Sequence, residues 1–397
     1  MKRMVEWKCI NEIIVSLKTG LNPRQNFRLN TPESIFPYIT GKDIFNNKIN
    51  VTSVTDKVDS KAVDLIDKRA CLEANLLLFA STGTGTVGRM AIVDCYENDW
   101  AISETLYAIK TTGVISPQFL MYSLYSDIAK KQFEPKISKG SVPHLKIADL
   151  LKVKIPVPSL SEQNRIVGIL DTFTSSIENL KEQIAERRKQ YEYQRDQLLD
   201  LEGKEGVEMK KLGEVGEFIR GNGIQKNDFV EEGYGCIHYG QIHARYGFSA
   251  KETISKIEES LYKKCKKAKT GDVILATTSE DAEGVAKPFV WLGEYEVAVS
   301  GDAFIYHHNQ IGKFMGYQFL TRKFMQFKVK YATGAKVVRI SGENMAKFEI
   351  ALPSLSEQSR IVSILDTFEQ SIANLEAQLE LRQKQYEYYR NQLLTFE

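Results

Sequence analysis

The clearest pattern of apolar and polar positions lies in two long segments, residues 158–199 and 353–394. In both segments the apolar side chains are spaced alternately by four and three residues. The positions are Ile166, Leu170, Phe173, Ile177, Leu180 and Ile184 in the first segment and Ile361, Leu365, Phe368, Ile372, Leu375 and Leu379 in the second. An apolar repeat of about 3.5 residues that continues this long is typical of a coiled-coil seam. We therefore predict two long helices that pack against each other along these stripes.

The two segments are also near-copies of each other. PSLSEQNRIVGILDTF begins at Pro158 and PSLSEQSRIVSILDTF at Pro353, and 29 of 42 ungapped positions are identical. Ser161 and Ser356 stand before the apolar runs, where a helix N-cap is expected. Arg187 and Arg382 fall on the seam. Each arginine either extends its charged end to solvent or forms a polar layer that fixes an antiparallel register.

Two globular stretches alternate with the helical segments and resemble each other more weakly. The apolar run 76–82 matches 273–279, and 38–41 compares with 238–241. AIVDCYENDWAIS and FVWLGEYEVAVS then predict hairpin strands, and FLMYSLYSDIAKKQF and FMGYQFLTRKFMQF predict amphipathic helices. These patterns predict an α/β (α+β) fold in which the strands pair mainly antiparallel.

The predicted domain order is globular, helix, globular, helix. The boundaries are 1–155, 156–205, 206–350 and 351–397, with a short joint at Gly203-Lys204-Glu205-Gly206. An antiparallel pair of similar helices would relate the two globular stretches by a pseudo-two-fold axis.

The globular stretches and the helical segments differ in net charge. Residues 1–155 carry 21 Lys and Arg against 16 Asp and Glu, and residues 206–350 carry 21 against 18, whereas both helical segments are net acidic. This distribution permits nucleic-acid binding without requiring it. The chain has no twenty-residue apolar run and no signal-peptide pattern, and its five cysteines are scattered without a CxxC motif. We expect a cytoplasmic protein without a zinc site and without membrane association.

The duplicated motif P-S-L-S-E-Q-x-R-I-V-x-I-L-D, set between two globular stretches, resembles the specificity subunit of type I restriction–modification systems. The resemblance covers essentially the whole chain. It implies a DNA-reading subunit without catalysis of its own, in which each globular stretch is a target-recognition domain for one half of a bipartite site. It also implies that the helices hold these domains apart, set the gap between half-sites and help to dock two methyltransferase subunits. Motor-nuclease subunits would join through the assembled complex.

One segment also fits a cofactor motif. GTGTVG at 83–88 matches the dinucleotide-binding pattern and follows a strand-like run, but a strand pattern and not a helix comes next. We interpret it instead as a glycine-rich tip that lets backbone N–H groups approach DNA phosphates. No cofactor is expected, and ATP, magnesium and S-adenosylmethionine would belong to the partner subunits.

Loops after the buried strands, with hydroxyl, amide or basic side chains, are the candidates for contact with double-stranded DNA. In the first globular stretch they are Lys42, Ser81, Thr82, Thr84, Arg89, Lys139 and His144. In the second they are Gln241, His243, Arg245, Thr278, Ser279, Lys287, Lys336 and Arg339. Amide and arginine groups suit purine edges, and lysines suit phosphates.

Two other functions stay open from the sequence. The chain could be a coiled-coil scaffold whose globular domains bind proteins, or an enzyme that binds a cofactor at GTGTVG. Duplex binding that weakens with salt would favour DNA recognition over the scaffold.

Overall fold

The chain forms two compact units in the computed structural model, which describes residues 5–94, 100–281, 283–334 and 337–396. One unit comprises Met1–Leu180 and Gln378–Glu397, and the other comprises Lys181–Ala377. Each unit therefore contains one globular stretch, part of the long helix that follows it, and part of the other long helix.

The first globular stretch is built from short elements and leads into one long helix. Its strands are β1 (Glu6–Cys9), β2 (Ile14–Thr19), β3 (Phe36–Ile39), β4 (Ile44–Phe45), β5 (Lys48–Ile49), β6 (Lys57–Val58), β7 (Leu77–Ala80), β8 (Met90–Ile92), β9 (Ala101–Ile102), β10 (Leu106–Thr111) and β11 (Lys154–Val157). Its helices are α1 (Ile10–Ile13), α2 (Pro23–Asn26), α3 (Ser60–Ala70), α4 (Pro117–Tyr125), α5 (Asp127–Phe133), α6 (Ile147–Leu150) and the long helix α7 (Leu160–Leu199).

A central four-stranded sheet organises the core of the first unit. Strands β2, β10, β7 and β8 pair antiparallel in that order. Successive side chains of β7 enter different cores, because Leu77 and Phe79 pack with α4 and α5 whereas Leu78 and Ala80 pack with α3. A strand covered on both faces is apolar at every position, which explains the continuous apolar run in the sequence. A smaller sheet, β6-β3-β9, contains the parallel pair β3–β9.

The second globular stretch repeats this plan with more strands. They are β12 (Glu208–Lys211), β13 (Gly216–Arg220), β14 (Phe229–Val230), β15 (Tyr234–Ile237), β16 (Ser249–Ala250), β17 (Ser255–Ile257), β18 (Lys267–Ala268), β19 (Val273–Ala276), β20 (Thr278–Ser279), β21 (Lys287–Trp291), β22 (Val297–Val299), β23 (Ala303–His308), β24 (Val338–Arg339) and β25 (Glu349–Leu352). The helices are α8 (Leu212–Val215), α9 (Tyr239–Ala244), α10 (Glu259–Tyr262), α11 (Gly312–Gln318), α12 (Arg322–Tyr331), α13 (Gly342–Met345) and the long helix α14 (Leu355–Leu394).

Two five-stranded sheets form the core of the second unit. Their strand orders are β13-β23-β19-β21-β16 and β14-β17-β15-β22-β18. The central strand β19 is again covered on both faces, with Val273 and Leu275 in one cluster and Ile274 and Ala276 in another. The predicted mixed fold with mainly antiparallel strands is confirmed, although β15–β22 and β16–β21 are parallel.

Equivalent hydrogen bonds at the end of the central strand correct the residue-by-residue match of the two globular stretches. The hydroxyl of Ser81 donates to Thr105 O at 2.9 Å, and that of Thr277 donates to Asp302 O at 3.1 Å. Ser81 is therefore the equivalent of Thr277, and the match of 76–82 with 273–279 is one residue out. The cause is physical, because a run that is apolar at every position carries no periodicity from which register can be read.

Strand pairing likewise shows that the match of 38–41 with 238–241 is off by two residues. Tyr38 pairs in parallel with Ala101 as Cys236 pairs with Ala298. The residue after β3, Thr40, is therefore the equivalent of His238 after β15. The match of 38–41 with 238–241 is wrong because Tyr38 lies in strand β3, whereas Tyr239 begins helix α9.

The predicted hairpins are wrong in both units. Strands β8 and β9 lie in different sheets, since β8 pairs with β7 and β9 pairs with β3. Strands β21 and β22 are separated in the same way. The chain thus crosses from the central sheet to the second sheet at this point, and the alternating apolar pattern fits both roles. Each predicted amphipathic helix is also two helices, because Ser126 and Thr321 cap a second helix after a break.

Both long helices begin earlier than their predicted caps. The N–H of Glu162 donates to Ser159 Oγ at 3.4 Å, so Ser159 caps the first helix and Ser161 lies in the first turn. In the second helix Ser354 has this role in place of Ser356. An N-cap accepts a hydrogen bond from the residue two or three positions later, and the serine nearer the proline satisfies that geometry.

A buried glutamine locks each long helix to its globular stretch. Gln163 is fully buried, and its side chain donates to Val114 O at 2.8 Å and to Pro158 O at 2.9 Å. It also accepts from Ser116 N–H at 2.9 Å. Gln358 repeats this arrangement in the second unit. The glutamine of the duplicated motif is therefore explained by these buried hydrogen bonds, which the apolar periodicity did not predict.

In each unit the two long helices pack antiparallel. In the first unit Ile166 and Leu170 share a buried cluster with Leu394, and Phe173 stacks on Tyr389 with ring centroids 5.4 Å apart. Early residues of α7 thus meet late residues of α14. Of the other predicted seam residues in this unit, Ile177 and Leu180 are buried and Leu379 is half-buried.

The second unit shows the converse pairing. Ile361 and Leu365 share a buried cluster with Leu199, and Phe368 lies 6.4 Å from Tyr191 between ring centroids. Of the remaining predicted seam residues, Ile184 is buried and Ile372 and Leu375 are half-buried. The first two seam residues of each helix belong to the core of the globular stretch as well as to the helix pair.

The seam arginines neither extend fully to solvent nor form a buried polar layer, which were the two predicted alternatives. The guanidinium carbon of Arg187 lies 6.0 Å from the centre of the Phe368 ring, and that of Arg382 lies 5.6 Å from the centre of the Phe173 ring. Both arginines are half-buried. Each covers a ring of the opposite helix, where the attraction between cation and ring is favourable.

Candidate nucleic-acid interface

A glycine-rich loop follows β7 in the first unit and lies against a second loop. Gly83 has φ of +122°, and its N–H donates to Pro143 O at 3.0 Å. Thr82 Oγ1 lies 2.7 Å from His144 Nδ1, and these two residues form an antiparallel β-bridge. A Cβ at Gly83 would overlap the Thr86 hydroxyl, so the close packing requires glycine. Two loops distant in sequence therefore form one surface.

The turn that contains Lys42 packs on the same loop. A Cβ on Gly41 would lie 3.1 Å from Thr86 Cβ, and Arg89 donates to Ile44 O at 3.2 Å. Lys42 itself is exposed. Three separate segments thus converge, and each carries residues that the sequence singled out.

The seven predicted residues of the first unit all lie in these three segments. Lys42, Thr84 and Lys139 are exposed, whereas Thr82, Arg89 and His144 are half-buried. Ser81 differs, because it is fully buried and its hydroxyl is bonded to a backbone carbonyl. Ser81 thus orders the loop and has no side-chain surface for DNA.

The second unit has an equivalent cluster after β19. Thr278 and Ser279 form β20, which pairs with the strand that contains Arg339. His243 Nε2 lies 3.0 Å from Thr278 O, and Lys287 Nζ donates to His243 O at 3.1 Å. Partial burial lowers the pKa of the Lys287 ammonium. The cluster therefore joins α9, the loop after β19 and the strand β24.

The predicted residues of the second unit fall into three groups. Arg245 and Arg339 are exposed, and His243, Ser279 and Lys287 are half-buried. Gln241 and Thr278 are buried, and Gln241 Nε2 donates to Ser255 Oγ at 2.7 Å, so both side chains belong to the interior. Lys336 lies outside the described residues.

The two glycine-containing loops differ in chemistry. The loop at 81–89 has four hydroxyl side chains and three glycines before Arg89 and no acidic residue, whereas the equivalent loop contains Glu280, Asp281 and Glu283. Asp281 Oδ1 accepts from Gly284 N–H at 2.6 Å and so shapes its own turn. Hydroxyls and arginine favour phosphates and guanine, whereas carboxylates accept from the amino group of cytosine. The two loops therefore offer different hydrogen-bonding groups.

Sequence reasoning missed two kinds of buried polar residue. Gln163 and Gln358 lie in polar runs at helix starts, and Lys328 lies in an amphipathic helix, where a lysine normally faces solvent. Lys328 is 2% exposed, and burial lowers the pKa of its ammonium to about 8. One signal for Lys328 was available in the sequence. The first unit has a phenylalanine, Phe133, at the same distance from its helix cap, which indicates a buried position.

The segment after GTGTVG is β8, a strand, as its sequence pattern predicted. A dinucleotide-binding turn needs a helix there, so the cofactor interpretation has no structural support. Among the described residues no group of three or more His, Cys, Asp or Glu side chains could hold a metal ion. None of the helices within the described ranges is both long and apolar enough to cross a membrane.

Two segments of the chain match one family of known proteins. The family described as "Type I restriction modification DNA specificity domain" matches residues 4–187 and again 204–382. The chain belongs to this family. Because the matching family is described as a DNA specificity domain, the alternative of a coiled-coil scaffold whose globular domains bind proteins is not supported. Membership of a specificity-subunit family indicates a non-catalytic role.

Individual specificity subunits are similar over much of their length. The specificity subunit of the type I restriction enzymes EcoR124I and EcoR124II from Escherichia coli is 33% identical over 264 residues, which cover 63% of this chain and 65% of that subunit. A putative type I restriction enzyme specificity subunit from Haemophilus influenzae, S.HindORF215P, is 28% identical over 82% of this chain and 83% of its own.

Solved structures show the same fold. A chain from a structure describing complex assembly and conformational transition of a type I restriction–modification system matches with a TM-score of 0.60 and 19% identity. The S subunit of a type I system from M. genitalium matches with a TM-score of 0.55 and 14% identity. Both matches cover 98% of this chain and 96% of the other.

Proposed function

We propose that this specificity subunit reads a bipartite DNA site, with residues 1–155 recognising one half and residues 206–350 the other. The observation that carries the proposal is the repetition of one recognition surface in each unit. In both units the loop after the central strand lies beside a strand or bridge that contributes His144 or Arg339. The chemistry of the two loops differs, as it should if each reads its own sequence.

The exposed basic residues are the proposed contacts. Arg245 and Arg339 suit bidentate bonds to guanine, and Lys42 and Lys139 suit phosphates. The half-buried residues Thr82, Arg89, His144, His243, Ser279 and Lys287 border these contacts. We propose that the buried Ser81, Gln241 and Thr278 hold the loops in shape, and that Lys336 is a phosphate contact.

The long helices are the proposed spacer. Each is continuous over 40 residues. At about 1.5 Å per residue this corresponds to roughly 60 Å. A stiff connection fixes the gap between half-sites, which a flexible linker would leave variable. Lengthening both helices by the same number of turns is therefore expected to widen the gap and leave each half-site unchanged.

The helices also offer a repeated docking surface for two methyltransferase subunits. Tyr193 and Tyr388 occupy the same position of the two copies and are 61% and 60% exposed. Leu160 and Leu355 are likewise identical, at 48% and 54%. Packing explains identity at buried positions, but identity at exposed apolar positions favours a partner that contacts the same surface twice.

Each unit carries one of these tyrosines and one of these leucines. The first unit contains Leu160 and Tyr388, and the second contains Tyr193 and Leu355. This distribution supports one methyltransferase subunit per unit. Methylation, ATP hydrolysis and DNA cleavage would then reside in the partner subunits, and motor-nuclease subunits would join the assembled complex.

Salt-dependent duplex binding by the assembled methyltransferase complex tests the proposal. The logarithm of the binding constant should fall linearly with the logarithm of the salt concentration, because phosphate contacts release counterions. Lys139→Ala should reduce the slope by about one. Lys152→Ala, at another exposed lysine of the first unit, should leave it unchanged. Binding that does not depend on salt would contradict DNA recognition by these surfaces.

A further inference from the structure

Lys328 on α12 is a buried cation directed at the backbone of the recognition loop in the second unit. Only 2% of the residue is exposed. Its Nζ donates to Glu283 O at 2.5 Å and to Val285 O at 2.8 Å. Both carbonyls belong to the loop that links Ser279 to Lys287. One side chain therefore fixes two points of this loop.

The first unit shows that the fold does not require a lysine here. Helices α5 and α12 are equivalent, with Ser126 and Thr321 as their N-caps. The seventh residue after the cap is Phe133 in one and Lys328 in the other. Phe133 is 3% exposed and packs edge-on against Phe79, with ring centroids 6.0 Å apart. An apolar side chain can thus fill this position and complete the core.

A buried ammonium is costly unless its hydrogen bonds and neighbouring charges compensate. Two carbonyl oxygens accept from Lys328, and the carboxylates of Asp281 and Glu283 favour its charged form. Burial is nevertheless the larger influence and lowers the pKa to about 8. The lysine therefore stabilises one conformation of the loop at a cost that Phe133 avoids in the first unit.

We propose that Lys328 is a positioning residue for DNA recognition by the second unit, because it holds the loop that presents Ser279 and Lys287. The inference rests on the proposed function. The first unit has no equivalent, since its loop is shaped by Gly83 and by the Thr82–His144 bond. Loss of the Lys328 contacts should therefore affect one half-site only.

The test uses the full chain assembled with its methyltransferase subunits. Duplexes carry the methylated site, or that site with one base pair changed in either half, and the ratio of affinities measures discrimination at each half. Lys328→Met should lower discrimination at the half read by residues 206–350 by roughly tenfold, which corresponds to the loss of about one charge-assisted hydrogen bond. The other half should keep its discrimination.

Two variants accompany Lys328→Met. Lys330→Met removes an exposed positive charge from the same helix and should change neither half. Lys328→Arg keeps the charge and the donors and should restore most of the discrimination. Unaltered discrimination in a folded Lys328→Met protein, or an equal loss at both halves, would overturn the proposal.

A pH series on the parent protein keeps the inference testable if Lys328→Met does not fold. Above a pH of about 8 the ammonium loses its proton and its hydrogen bonds weaken. Discrimination at the second unit's half-site should therefore decrease as the pH rises through this value, and the first half should not change. Lys330→Met should behave as the parent, whereas Lys328→Arg should show a smaller decrease, because Lys287, whose pKa burial also lowers, still titrates in this surface. A parent without any half-site discrimination would instead refute the proposed function.

Discussion

The buried glutamine at the start of each long helix gives the most specific prediction about stability. Gln163→Leu keeps the approximate size of the side chain and removes its hydrogen bonds. It leaves Val114 O, Pro158 O and Ser116 N–H without the partner that each has at 2.8 to 2.9 Å. The change should therefore loosen the attachment of the long helix to the first globular stretch.

The expected magnitude follows from three lost hydrogen bonds. At about 1 kcal/mol for each bond, the free energy of unfolding of the first unit should fall by about 3 kcal/mol. This is a large part of the roughly 5–15 kcal/mol that stabilises a typical domain. Gln358→Leu should have a similar effect on the second unit, because Gln358 bonds to Pro353, Gln310 and Ile311.

Urea unfolding followed by circular dichroism measures this loss. The matched control is Gln392→Leu, since Gln392 is an exposed glutamine in the part of α14 that belongs to the first unit. Its stability should stay within about 0.5 kcal/mol of the parent. The reasoning is refuted if Gln163→Leu and Gln392→Leu are equally stable.

Three further predictions concern binding and pH. Tyr193→Ala should lower the occupancy of one of the two proposed methyltransferase positions, and Tyr388→Ala should lower that of the other. Native mass spectrometry of either variant should therefore find complexes with one partner subunit. Unaltered occupancy in both variants would refute the docking surface. Arg339→Ala should reduce base discrimination by about 1–3 kcal/mol at one position of one half-site, as measured by competition binding. A uniform loss of affinity across all sequences would show that Arg339 contacts phosphate only. Burial raises the pKa of the Glu369 carboxyl, so its contribution to stability should be lost as the pH rises above the ordinary glutamate value of about 4.3 and through the raised value. Glu369→Gln should flatten this pH dependence in urea unfolding, and an unchanged dependence would contradict the assignment.

The sequence predicted the long helices because apolar residues recur at alternate spacings of four and three from Ile166 to Ile184 and from Ile361 to Leu379. It predicted the mixed fold and the loop at 81–89 for a similar reason, since this loop follows the strongly apolar strand β7. Strand register was not predictable, because β7 and β19 are apolar at every position. The separation of β8 from β9 was not predictable either, since a hairpin and a crossover have the same alternating pattern.

Buried polar residues were the main features that the sequence hid. Gln163 lies between the half-buried Glu162 and the exposed Asn164 at a helix start, and nothing in the polar sequence around it indicates that it is fully buried. Ser81 and Gln241 have side chains suited to DNA, but hydrogen bonds to their own unit occupy them. Burial depends on contacts between residues far apart in the chain, and such contacts leave no local pattern.

The central claim is that two units of one chain read the two halves of one DNA site. Methylation mapping in cells that contain the partner subunits tests it most directly, with the parent chain and with a chain whose residues 206–350 come from a relative of different specificity. We predict a bipartite methylated sequence in the parent and a change in one half only after the exchange. A continuous target, or a change in both halves, would contradict the account.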